Sequence, residues 1–96
     1  MEQTAKNVTT AGAAVPISAT DLQVRSAVIQ AKIANTGLIY VGSNAVDNSG
    51  DTGTALAAGE TYVLAQGGSN DLYNLKATYI DADQDGEGVT VTFYRK

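Results

Sequence analysis

The chain has 96 residues, no cysteine and no histidine, and ten Asp or Glu against six Lys or Arg, for a net charge of −4. That length suits one domain. The missing imidazole and thiol remove His-based triads, Cys nucleophiles and most zinc or copper sites, and the acidic balance argues against nucleic acid or an anionic membrane as partner.

Ten glycines against one proline, with 44% hydrophobic residues, make a folded, all-β composition of short strands and many turns. Residues 1–12 read as a flexible N-terminal arm with a short strand over residues 6–10, and residues 13–96 as a single domain. No apolar run has the length of a bilayer span and no basic-then-apolar segment opens the chain, so a soluble protein without an export signal is expected. The glycosylation triplet Asn7-Val8-Thr9 therefore carries no weight. Residues 13–17 form the next strand, and Pro16 puts it at a sheet edge, because proline donates nothing to a ladder. Residues 18–23 read as a turn.

Residues 24–42 (VRSAVIQAKIANTGLIYVG) carry the densest β-branched content. Alternation places Arg25, Ala27, Ile29, Ala31 and Ile33 on one face, and Val24, Ser26, Val28, Gln30 and Lys32 on the other. Ala34-Asn35-Thr36-Gly37 supplies a reversal before Leu38-Ile39-Tyr40-Val41. The stretch reads as a β-hairpin, the central pair of an antiparallel sheet.

Residues 43–53 form a polar loop, 54–56 a brief strand and 57–60 a turn. Residues 61–65 are a strand with Tyr62 and Leu64 on one face, and residues 67–71 a further turn. Residues 72–80 read as one strand with Tyr73, Leu75, Ala77 and Tyr79 inward. Residues 81–88 (DADQDGEG) are an acidic reversal, and residues 89–94 close the chain with Val89, Val91 and Phe93 opposed to Thr90, Thr92 and Tyr94. About eight strands at this spacing imply an antiparallel sandwich or barrel.

Asp81-Ala82-Asp83-Gln84-Asp85-Gly86 begins as calcium loops of the EF-hand begin, with oxygen ligands at alternate positions and a glycine for the bend. The twelfth position, which should chelate, is Thr92. A solvated turn is therefore the preferred reading, with calcium on Asp81, Asp83 and Asp85 as the alternative and no metal or cofactor assigned. Asp47 or Asp51 with Asp83 or Asp85 would supply a glycosidase-like carboxylate pair. A sugar cleft needs aromatic walls, and the chain has no Trp and one Phe; no catalytic residue is assigned, and the protein is expected not to be an enzyme. Of the five tyrosines, Tyr62, Tyr73 and Tyr79 are expected to fill the core and reach its edge, Tyr40 and Tyr94 to make outside contacts.

The run over residues 28–42 (VIQAKIANTGLIYVG), the Ala57-Ala58-Gly59-Glu60 turn before a strand and the closing Gly86-Glu87-Gly88-Val89 hairpin together resemble small tailed-bacteriophage virion proteins. That family includes capsid decoration, or cement, proteins. The resemblance implies a jelly-roll-like β-sandwich that sits as a homotrimer on the outside of the head. It also implies the major capsid protein as partner and assembly in the host cytoplasm, with no role for nucleic acid or membrane. Two alternatives share the fold class: a carbohydrate- or receptor-binding β-sandwich of a phage fibre, served by the loops at 43–53 and 81–88, and a minor head–tail connector protein.

Overall fold

A computed structural model describes residues 1–49, 53–65 and 72–95. They form nine strands: β1 (Glu2–Asn7), β2 (Val15–Pro16), β3 (Gln23–Ala31), β4 (Ile39–Gly42), β5 (Thr54–Leu56), β6 (Thr61–Ala65), β7 (Tyr73–Asn74), β8 (Tyr79–Ala82) and β9 (Gly88–Arg95). There is no helix among the described residues. One sheet runs β1-β9-β3-β6, with β7 also on β3, and the other runs β2-β8-β4-β5. Every pairing is antiparallel.

The order has a simple origin. β4 pairs β5, β3 pairs β6, β2 pairs β8 and β1 pairs β9, so the chain is one long hairpin folded back on itself. Rolling that hairpin brings β9 against β3 and β8 against β4. The result is a jelly-roll β-sandwich of two four-stranded layers with β7 inserted.

The core lies between the layers. Ala27, Ile29 and Ala31 of β3 and Val89, Val91 and Phe93 of β9 meet Ile39 and Val41 of β4 and Ile80 and Ala82 of β8. Val8, Ile17, Val24 and Leu75 complete it from the connections and strand ends. Burying a side chain such as Ile29, Ile39 or Ile80 is worth about 2 kcal/mol. The alternation expected for residues 89–94 is present, and Pro16 lies in β2, an edge strand of its sheet.

Three local readings are corrected. Residues 24–42 are not a hairpin: β3 and β4 belong to different sheets, and residues 32–38 carry the chain across the sandwich. The crossing is held by Asn35, whose N–H donates to Lys32 O at 3.0 Å and whose Nδ2 donates to Gly88 O at 2.9 Å. A β-arch and a hairpin share the same apolar strands and the same turn residues; they differ in whether the strands pack or hydrogen-bond.

The face assignment at the start of β3 is inverted by a β-bulge. Val24 pairs Arg95 and Ser26 pairs Tyr94, leaving Arg25 as the extra residue. Val24 is buried and Arg25 exposed, because one added residue flips the side chains beyond it.

Residues 72–80 are not one strand. Asn74 breaks them, accepting N–H bonds from Leu22 and Lys76 on Oδ1 while its carbonyl accepts from Ala77 N. The resulting turn drives Leu75 into the core and leaves Ala77 exposed. The turn read at residues 67–71 lies outside the described residues, as do residues 50–52 of the polar loop. Within the segment read as a flexible arm, β1 is laid in six-residue register on β9, and its side chains are exposed except for half-buried Lys6.

Candidate functional site

The acidic segment is built differently from a solvated turn. Asp81 and Ala82 belong to β8, so Asp81 shares the outer face of its sheet with its cross-strand partner Tyr40. That face is roofed by the connections on either side. Val46, in the loop after β4, is buried, and Asn48 Nδ2 donates to Ala82 O at 3.2 Å. The turn at residues 10–13 closes with Ala13 N donating to Thr10 O, and Gly12 takes φ +91° at its third position, a conformation glycine reaches without strain.

Each carboxylate of the segment has its own backbone partner. Asp81 Oδ1 accepts from Gly12 N at 2.9 Å and from Ala82 N at 2.7 Å, and Asp85 Oδ1 accepts from Ala11 N at 2.7 Å. Asp83 accepts from Leu38 N at 3.2 Å and from the Tyr40 hydroxyl at 3.1 Å. Glu87 accepts from Thr36 N at 2.6 Å, Gly37 N at 2.9 Å and the Thr36 hydroxyl at 3.0 Å. The segment is a strap that fastens the β1–β2 and β3–β4 connections to one end of the sandwich. Asp81, Asp83 and Asp85 do not converge, and no cluster of three acidic side chains suited to a metal ion occurs among the described residues. Asp81 Oδ2 is fully buried without a hydrogen-bond partner among them.

The electrostatics follow this geometry. Burial, the hydrogen bond to Asp83 and the charges of Asp83 and Asp81 push the Tyr40 phenol up from its ordinary value. The Thr36 and Gly37 N–H groups hold the Glu87 carboxyl below its usual range. The Ser49 hydroxyl and N–H do the same for Asp47. Tyr40, expected as an outside contact, is buried. Tyr94 is exposed, while Tyr62 and Tyr73 pack against the core. Asp51 lies outside the described residues, and Asp47 turns to Ser49.

Two open surfaces stand out among the described residues. One is a groove of about 520 Å³ lined by Asp21, Ser43, Asn44, Asn74, Lys76, Ala77 and Tyr79. The other is the outer face of the β1-β9-β3-β6 sheet. Registers there place Gln3, Thr92, Val28 and Val63 in one cross-strand row. Ala5, Thr90, Gln30 and Thr61 form the next row, and Tyr94 stands beside Ser26. None of these side chains carries a charge. A trough of about 540 Å³ crosses the face over Thr90 and Thr92. Strand alternation alone predicts the outward set; the sheet order that gathers it is invisible to it. No family model, curated protein or solved structure matches this chain.

Proposed function

We propose that this protein is a structural part of a bacteriophage virion, a capsid decoration protein that attaches to the outside of the head and holds neighbouring major capsid subunits together. The observation that carries the reading is the nested pairing of β1 with β9, β2 with β8, β3 with β6 and β4 with β5. That pairing is the jelly roll that the resemblance of residues 28–42, 57–60 and 86–89 to tailed-phage virion proteins implies. Jelly rolls serve as capsid modules and as lectins, so the fold supports the reading without assigning it.

The mechanism is mechanical. A closed sandwich whose connections are strapped by Asp81, Asp83, Asp85 and Glu87 is a stiff block. Copies grouped in threes, as the resemblance implies, each grip more than one shell subunit. Lifting one subunit then breaks several weak contacts at once, and their strength combines as avidity. Mixing the protein with undecorated heads at about micromolar concentration and sedimenting them tests this: the protein pellets with the heads and raises their disruption temperature. Protein left in the supernatant counts against the role.

A second reading, a glycan-binding domain of a fibre, draws on the groove beside Tyr79. Its walls combine the charged Asp21 and Lys76 with the amides Asn44 and Asn74, groups that hydrogen-bond sugar hydroxyls. Binding on a glycan array that Tyr79→Ala abolishes would favour it over attachment to the shell.

A further inference from the structure

We infer that the free edge of β1 is a self-pairing edge. β1 of one copy adds antiparallel to β1 of a second copy, with Thr4 against Thr4 on the two-fold axis and Glu2 against Lys6 on either side of it. The inference stands apart from the virion reading.

The main chain supplies the grip. β1 ends the β1-β9-β3-β6 sheet, and at six residues it is longer than the edge strands β2, β5 and β6. Val8 donates to Glu87 O and accepts from Gly86 N, and Gly88, which stands opposite Asn7, gives its carbonyl to Lys32 N. An antiparallel strand turns the polar groups of alternate residues to alternate sides. Glu2, Thr4 and Lys6 therefore bond to β9, while the N–H and C=O groups of Gln3, Ala5 and Asn7 point out of the sheet. Such a row takes up a further extended strand. Pro16 blunts β2, which ends the other sheet; β1 contains no proline.

The side chains select the occupant, because β1 is complementary in charge to itself. With the axis at Thr4, Gln3 bonds Ala5 of the second copy and Ala5 bonds its Gln3, about four main-chain bonds in all, and Glu2 meets Lys6 at both ends. An axis at Ala5 sets Lys6 against Thr4, an axis at Gln3 sets Glu2 against Thr4, and parallel pairing brings like charges side by side. Only the Thr4 register forms ion pairs. It also places Glu2 and Lys6 at non-hydrogen-bonded positions, where the Cα atoms approach to about 4.5 Å and opposite charges support each other. A lysine on an edge strand ordinarily repels a second edge; the glutamate four residues before Lys6 reverses that. Lys6 has no ion pair among the described residues, and Glu2 holds Arg95 through Oε2 at 2.6 Å, leaving Oε1 for the second copy. One charge of each sign on β1 keeps this edge neutral in a chain of net charge −4. Edge addition draws its affinity from main-chain bonds more than from covered area, so the pair is reversible.

Sedimentation equilibrium from about 10 µM to 1 mM reads the proposal, with circular dichroism verifying that each variant is folded. The mass of the parent rises from one copy towards two. Lys6→Glu sets acid against acid at both ends and Glu2→Lys sets base against base, so each variant alone stays at one copy. An equimolar mixture of the two restores the rise, because one variant then brings two acids on β1 and the other two bases. Ala5→Pro removes an outward N–H without touching the bonds to β9, and it also holds the mass at one copy. A parent that stays at one copy at every concentration overturns the inference. So do single variants that associate as the parent does, and folded charge variants whose mixture stays at one copy. None of these results bears on whether the protein pellets with phage heads.

Discussion

The buried carboxylate of Asp81 accepts a hydrogen bond from the backbone N–H of Gly12 at 2.9 Å, fastening the turn after β1 to the middle of β8. Its second oxygen has no partner among the described residues, so two parts of its role are separable: the acceptor and the charge. Asp81→Ala removes both and is expected to cost about 2 kcal/mol. Asp81→Asn keeps the Oδ1 acceptor and removes the charge, and is expected to stay within about 1 kcal/mol of the parent. Urea unfolding of the two variants measures the difference. If Asn costs as much as Ala, the amide N–H groups that it buries at the unpartnered Oδ2 position cancel the hydrogen bonds that Oδ1 keeps.

Acid should loosen the strap at Glu87. Its carboxyl is held low by the Thr36 and Gly37 N–H groups, so the folded chain releases this proton more readily than the unfolded chain. The stabilisation is then fully present above the ordinary value of 4.5 and is lost as pH falls through the lower folded value. Glu87→Gln lacks this dependence. Melting temperatures from pH 7 down to about pH 3 are expected to show the variant less stable at neutral pH, with the gap closing in acid.

How much of this was legible in the residues depends on which interaction decides each feature. Val89, Val91 and Phe93 announce β9 because strand alternation survives any sheet order, and Pro16 announces an edge because it lacks a donor. Residues 24–42 do not reveal that they cross the sandwich, since the choice between arch and hairpin rests on bonds from the crossing to the distant residues 87 and 88: Asn35 Nδ2 to Gly88 O, and the Thr36 and Gly37 N–H groups to Glu87. The bulge at Arg25 is a ladder defect that depends on β9. Asp81 reads as a turn residue because its partner, Gly12, lies 69 positions away. Asn74 was the recoverable signal: an Asn that caps its own turn is a known strand breaker.

Alkali should act through Tyr40. Burial and the neighbouring Asp83 raise its phenol above 10.0, so the folded state resists loss of this proton. The advantage is complete below the unfolded value and disappears as pH rises through the folded one. Tyr40→Phe gives up the hydroxyl bond to Asp83, at a cost of about 1 kcal/mol near neutrality. Above about pH 10 the variant is expected to lose less stability than the parent, measured by chemical denaturation at each pH.

Gly88 tests the placement of β1. A Cβ at this position would lie 2.1 Å from Lys6 O and 2.7 Å from Asn7 Cα, both backbone atoms of the strand paired beside it. Gly88→Ala therefore has to push β1 off β9, while the β3–β6 ladder loses nothing. Hydrogen exchange is expected to show β1 amides at least about tenfold less protected, with β3 and β6 amides little changed. Uniform loss across both sheets would mean that β1 is integral to the core and does not peel alone.

Val24 and Arg25 give the last test, because plain alternation and the bulge assign them opposite roles. With unbroken alternation Arg25 points into the sandwich beside Ala27 and Ile29, and Val24 points to solvent. With the register shift between Val24 and Ser26, Val24 is fully buried against the core and Arg25 is free. Val24→Ala then empties a packed site and is expected to cost about 2 kcal/mol, whereas Arg25→Ala changes stability by about 0.5 kcal/mol or less. Deleting Arg25 removes the extra residue and leaves a regular ladder, in which Val24 stays inward and keeps its pairing with Arg95 beside that of Ser26 with Tyr94. The deletion is therefore expected to cost less than Val24→Ala. A deletion that costs more than Val24→Ala, in denaturant titrations at one pH, would show the ladder running unbroken through this point.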